Sequence, residues 1–167
     1  LNDRDYLSAL RHADTRNAAV YKKEAQKIEN IRKIWIEKAA KEKPYDVFIC
    51  FKDTDSENHH TEDSRNARDL YGYLTEQGYR VFFSPISLMG KAGEEYEPYI
   101  YNALNTAAVM IVYGSKAEYF ESVWMKNEWS RFLKRIKEKK KYDGSLLVVC
   151  NGVNPNELPI ALRKIQA

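Results

Sequence analysis

Four short apolar runs, Asp46 to Phe51, Arg80 to Phe83, Ala108 to Tyr113 and Ser145 to Cys150, recur along this chain with helical patterns between them. Each is rich in β-branched or aromatic residues, the composition of a buried strand. Strands separated by helix-bearing stretches of about 30 residues do not form hairpins, so they pair in parallel through right-handed crossovers and carry helices on both faces. The predicted fold class is therefore α/β, a flavodoxin-like, doubly wound parallel sheet. In such sheets ligands bind beyond the carboxyl ends of the strands, which directs attention to the loops Lys52 to Asp63, Ser84 to Gly93 and Gly114 to Glu121.

The segments between the runs read as helices. Ala67, Leu70 and Leu74 give an inward face over about Ser64 to Gln77, and Gly78 supplies the stop. A second helix spans about Glu94 to Thr106 with acids at its start, and a third begins at the N-cap residue Ser122. Ahead of the first strand, Tyr21, Ala25, Ile28, Ile31, Trp35 and Ala39 fall at steps of three and four, so residues 15 to 42 form an amphipathic helix, preceded by a short one over Arg4 to His12. Pro44 ends helical structure, because it disfavours helical geometry in the residue before it and has no N–H to donate. The predicted division is a helical extension or linker over residues 1–43 and a main domain over residues 44–167.

A chain of 167 residues, 44% hydrophobic, buries one full core, consistent with one domain and an appendage. A net charge of +3 on mixed charges demands neither nucleic acid nor an anionic membrane as partner, and the basic run Lys137 to Lys141 reads as a solvated helix end. No stretch approaches the roughly 18 apolar residues of a membrane span and no signal peptide opens the chain, so the expected compartment is cytoplasmic. The first residue is Leu1, which reads as a piece of a longer polypeptide. Cys50 and Cys150 end apolar runs and are expected as free thiols.

The chemistry is narrowed by exclusion. No glycine-rich dinucleotide fingerprint and no phosphate loop follows any of the four runs. A phosphoreceiver domain needs an aspartate where this chain has Tyr113-Gly114-Ser115. His59 and His60, near Asp53, Asp55 and Glu57, match no zinc spacing, and Asp53 and Asp55 after a strand read as turn formers, so no metal is expected. One acid is out of place: Glu128 lies one helical turn after Trp124 and borders an apolar stripe of Met125, Trp129, Phe132 and Ile136. That placement suits the wall of a pocket; on the helix alone, a solvated pair with Arg131 is the preferred account, and the rest of the chain reverses that preference.

With these elements in order, the chain resembles a TIR (Toll/interleukin-1 receptor) domain, specifically the bacterial members of that family. The carriers are Tyr45-Asp46-Val47-Phe48-Ile49-Cys50-Phe51, then Gly78-Tyr79-Arg80-Val81-Phe82-Phe83 with the long following loop, then Ile100, Ala103, Ala107 and Val109 to Val112, and finally Trp124-x-x-x-Glu128. The match covers residues 45 to about 167. The family usually adds a fifth strand and a last helix, for which only Leu158 to Gln166 remains. Its strand order places a strand between those bearing Cys50 and Cys150, about 10 Å apart and too far for a disulfide.

The resemblance implies an NAD+ glycohydrolase, in which the essential glutamate four residues after a tryptophan is Glu128. It implies Trp124 as an aromatic wall, Phe51 and Lys52 at positions that contact the nicotinamide end and the phosphates, and Ser84 near the ribose, where the family often has an acid. Core packing for Phe51 and surface charge for Lys52 account for those residues equally well. NAD+ is the substrate, and no cofactor is implied. The product is ADP-ribose or a cyclic isomer, activation follows self-association through TIR–TIR contacts, and the implied role is antiviral defence. The competing reading is a non-catalytic TIR–TIR scaffold, in which the loop Ser84 to Gly93, with Gly90 and Gly93, serves only docking.

Overall fold

The computed structural model describes residues 18–138 and 144–166. The predicted helix over Arg4 to His12 lies outside the described residues, as do the first residues of the longer helix and most of the run Lys137 to Lys141. The chain divides into two compact units, the first ending at Lys41 and the second beginning at Glu42. In the first, helix α1 spans Ala18–Ala40, with Tyr21, Ile28 and Ile31 exposed and Lys38 Nζ 4.5 Å from the centroid of the Trp35 ring.

The second unit runs β1 (Val47–Cys50), α2 (Glu62–Glu76), β2 (Val81–Phe82), a single turn α3 (Ser84–Ser87), α4 (Glu97–Thr106), β3 (Val109–Gly114), a single turn α5 (Ala117–Phe120), α6 (Val123–Lys137), β4 (Ser145–Cys150), a 3₁₀ turn (Pro155–Glu157) and α7 (Ile160–Gln166). The four strands form one sheet in the order β2-β1-β3-β4, and every pairing is parallel. Val47 pairs with Val81 on one side and Val109 on the other, and Val109 with Ser145. β3 lies between the two cysteine-bearing strands, and Cys50 and Cys150 are both free.

Alternation along β1 divides the core. Phe48 and Cys50 face the layer built by α4, α6 and α7, where Leu104, Met110, Phe120, Met125, Phe132 and Leu162 are fully buried. Val47, Ile49 and Phe51 face the other layer, with Ala67 of α2, Val81, Phe83 and Ile111. Each fully buried large apolar side chain contributes about 1.5–3 kcal/mol, so a sheet covered on both faces dominates the stability of this unit.

Element boundaries follow local chemistry. α2 begins at Glu62 because Thr61 caps it, its Oγ1 accepting the Ser64 N–H at 3.1 Å. It ends in a Schellman motif: Gly78, at φ +90°, donates to Thr75 O and Tyr79 donates to Leu74 O. β2 is shorter than the apolar run from Arg80 to Phe83, because the Phe83 N–H donates to Ser87 Oγ at 2.9 Å instead of extending the ladder. α4 starts at Glu97, later than Glu94, with Pro98 fixing its first turn. Ser122 is the N-cap residue of α6, yet its hydroxyl donates to Tyr119 O at 2.7 Å and makes no cap bond.

The loop Ser84 to Gly93 is more structured than its glycines imply. It opens with α3, and Gly90 and Gly93 take φ of +80° and +83°. Lys91 Nζ then reaches Glu42 at 2.8 Å and lies 4.0 Å from the centroid of the Tyr99 ring. Glu42 also pairs with Arg80 at 3.2 Å.

Candidate active site

Beyond the carboxyl end of β1 lies a pocket of about 300 Å³, walled by the loops after β1 and β2 and by the first turns of α4 and α6. At β1 the strand order turns, with β2 on one side and β3 on the other, and a parallel sheet opens a crevice at such a point. The pocket brings together all five residues singled out in the sequence: Phe51, Lys52, Ser84, Trp124 and Glu128.

Glu128 projects from the buried face of α6 and is 8% exposed. Burial pushes its carboxyl up to about 7, while hydrogen bonding with the Cys50 and Trp124 side chains favours the ionised form. Arg131 does not serve as its counter-ion in the manner of a solvated pair; the guanidinium lies over the Tyr101 ring, 3.9 Å from the centroid. Trp124, one turn earlier on the same helix, is 54% exposed at the pocket mouth.

The other three residues occupy the opposite walls. Phe51 follows β1, and its ring stacks on Phe83 with centroids 5.1 Å apart, so it lines the pocket while serving the core. Lys52 is half-buried, and its carbonyl accepts from the Thr61 hydroxyl, which ties this rim to the cap of α2. Ser84 opens α3, its carbonyl accepting the Leu88 N–H at 3.1 Å.

The acids after β1 act as turn formers. Asp55 Oδ1 accepts from the N–H groups of Glu57 at 2.8 Å and His59 at 2.9 Å. Asp53 Oδ1 accepts from the Ser64 hydroxyl at 2.6 Å and lies 3.0 Å from His60 Nδ1. Among the described residues no group of three or more His, Cys, Asp or Glu side chains is placed to hold a metal ion.

Sequence reasoning missed Tyr96, Glu97 and Leu88 as pocket residues. The nearby Glu97 carboxylate, together with burial, raises the Tyr101 phenol above its ordinary range. The available signal was the acidic start of the helix after the second strand, which a parallel topology returns to the same rim. Cys50, read as a small hydrophobe at a strand end, is fully buried, its S–H donating to the Met125 carbonyl at 3.7 Å.

Fold and pocket together define a doubly wound α/β domain with a desolvated acid at its carboxyl edge. The family described as TIR domain matches residues 47–167, and the chain belongs to that family. The structure of a metazoan TIR-STING receptor from C. gigas is similar in fold, with a TM-score of 0.52 and 21% identity over 74% of this chain and 36% of that one. The TIR domains in the structure of the activated Roq1 resistosome, which directly recognizes the pathogen effector XopQ, give a TM-score of 0.47 and 25% identity over 67% of this chain and 60% of that one. This chain thus spans less than two thirds of either protein's length. No curated protein matches it. Among the described residues no helix is long and apolar enough to cross a membrane.

Proposed function

We propose that this TIR domain cleaves the bond between nicotinamide and ribose in NAD+. The observation that carries the proposal is the Glu128 carboxyl, desolvated at the wall of a pocket it shares with Trp124, Phe51, Lys52 and Ser84. When the C1′–N bond breaks, its electron pair leaves on a nitrogen that was cationic and becomes neutral, so the leaving group needs no proton, unlike the oxygen of an ordinary glycoside. Positive charge develops on C1′ and the ribose ring oxygen, and ionised Glu128 stabilises it where bulk water screens little. Water adding at C1′ gives ADP-ribose and a proton; the adenine ring adding there gives a cyclic isomer.

At about 300 Å³ the pocket lies at the small end for ligand sites and suits the nicotinamide-ribose end, with Trp124 as its wall. Lys52 faces the phosphates and Ser84 the ribose in this arrangement, while the adenosine half extends outward. Self-association through TIR–TIR contacts, with the loop Ser84 to Gly93 docking on a neighbouring copy, activates the domain; depletion of NAD+ in antiviral defence is the corresponding role.

A second reading, a non-catalytic TIR–TIR scaffold, draws support from Met89 and Val123, which are 73% and 86% exposed near the pocket. Incubation of NAD+ with the chain clustered on vesicles, followed by mass spectrometry, separates the two. Free nicotinamide from wild type, lowered about 100-fold or more in Glu128→Gln, is the expected result. Equal turnover by the variant removes the catalytic assignment, and intact NAD+ with clustered wild type favours the scaffold.

A further inference from the structure

Among the described residues three carboxylates and one amine line the pocket: Asp53, Glu97 and Glu128 against Lys52. Glu97 stands in the first turn of α4, and among the described residues no cation forms an ion pair with it or with Glu128. Asp53 is fixed at the rim by two contacts, its Oδ1 accepting the Ser64 hydroxyl at 2.6 Å and lying 3.0 Å from His60 Nδ1. Ser64 is itself buried on α2, so this carboxylate is anchored to the core. A cavity of about 300 Å³ keeps the charges on its walls within the Debye length of about 8 Å from a ring seated inside, so the ring feels them in physiological salt.

In the arrangement proposed above Lys52 is engaged by the phosphates, which leaves the acids to face the pyridine ring. The ring of NAD+ bears a neutral carboxamide, and that of its nicotinic-acid counterpart bears a carboxylate at the same position. Both leave on a nitrogen that turns from cationic to neutral, so bond breaking alone does not separate them. The walls do. A further negative charge among carboxylates is repelled, whereas a carboxamide carries N–H groups that can donate to them. We infer that Asp53 and Glu97 are specificity-determining residues, which make the pocket select the carboxamide form of the dinucleotide and turn away the carboxylate form. This rests on the reading of the pocket as a site for NAD+, and the selection is measurable without turnover.

The test measures equilibrium binding of the two dinucleotides to clustered Glu128→Gln protein, in which cleavage is suppressed, beside nicotinamide release from NAD+ by clustered wild type. In the Glu128→Gln background NAD+ binds about tenfold or more tightly than the nicotinic-acid form. Adding Glu97→Gln or Asp53→Asn, which remove a charge but keep the shape and an acceptor oxygen, narrows that gap about threefold in each case. A merely structural role would weaken both ligands alike and leave the ratio where it was. Should Asp53→Asn fail to fold, Glu97→Gln carries the test alone. Equal affinities at the outset, or a gap that the variants leave unchanged, overturn the selection, while nicotinamide release by wild type upholds the reaction. A gap that narrows as expected, with no nicotinamide from clustered wild type, upholds the selection and overturns the reaction. Binding of neither dinucleotide overturns both.

Discussion

The Trp129 indole N–H donates to the Phe120 carbonyl at 2.9 Å, and both side chains are buried. Trp129 directly follows Glu128, and Phe120 ends the turn α5, so this bond joins α6 to the turn that precedes it. The depth at which α6 rests on the sheet, and with it the depth of the Glu128 carboxyl, is set by that contact and by the packing beneath it.

Gly114→Ala disturbs this seat. An added Cβ meets Phe120 Cε2 at 2.4 Å and Cζ at 2.5 Å, and Phe120 is fully buried with no free space to enter. The expected cost is about 1–3 kcal/mol, the range for overpacking a filled core. Urea unfolding of the variant measures it; a loss within 0.5 kcal/mol of zero would mean that Phe120 can move at little cost.

Glu128→Gln stabilises the fold at alkaline pH. The folded carboxyl titrates near 7 against an ordinary value of 4.5, so the folded state binds more protons between those limits and stability falls as pH rises through that window. Above pH 8 the penalty reaches about 3 kcal/mol, which the neutral amide does not incur. At pH 4 the two proteins differ little. Melting temperatures across pH 4 to 9 provide the check, and parallel curves at all pH values contradict it.

The same titration shapes catalysis. Because the proposed reaction uses the ionised carboxylate, kcat/KM for NAD+ rises about tenfold per unit below pH 7 and levels off above it. Rates of nicotinamide release by clustered protein between pH 5 and 9 test this. A rate that falls as pH rises through 7 points to a protonated catalytic group instead.

Glu42→Ala releases the loop from Ser84 to Gly93. Lys91 and Arg80 both bind this carboxylate and hold its pKa below the ordinary value, with the Lys91 hydrogen bond the leading cause. The tether is therefore present above the ordinary carboxylate range and lost only as pH falls through the lowered value. The expected loss of stability is about 1 kcal/mol, with faster amide hydrogen exchange at Leu88 to Gly93. Unchanged exchange there shows that α3 and Tyr99 suffice to hold the loop.

The four strands and their parallel pairing were legible because β-branched and aromatic runs recur with helical patterns between them, while the place of β3 between the cysteine-bearing strands followed only from the family resemblance. Gly78 marked a helix limit for the same local reason that operates in the fold, whereas Ser122 precedes α6 without making the cap bond its residue type suggested. What local patterns did not carry was long-range: the Lys91–Glu42 pair spans 49 positions, and the Arg131 guanidinium chose the Tyr101 ring on another helix over the acid three residues before it. The single turns α3 and α5 are too short for a periodic pattern to register. Glu128 was visible as an acid beside an apolar stripe, but its desolvation depends on pocket walls supplied by distant stretches of the chain.

The pocket draws its lining from Phe48 to Thr54, Ser84 to Leu88, Tyr96 to Ile100 and Trp124 to Glu128, stretches that meet only through non-local parallel pairing. No excerpted peptide contains it. A graft of the Trp124–Glu128 helix onto a foreign scaffold would transplant the acid without its surroundings and return it to an everyday surface glutamate. The desolvation of this acid is a property of connectivity, vested in the assembled four-stranded sheet and not portable with the motif.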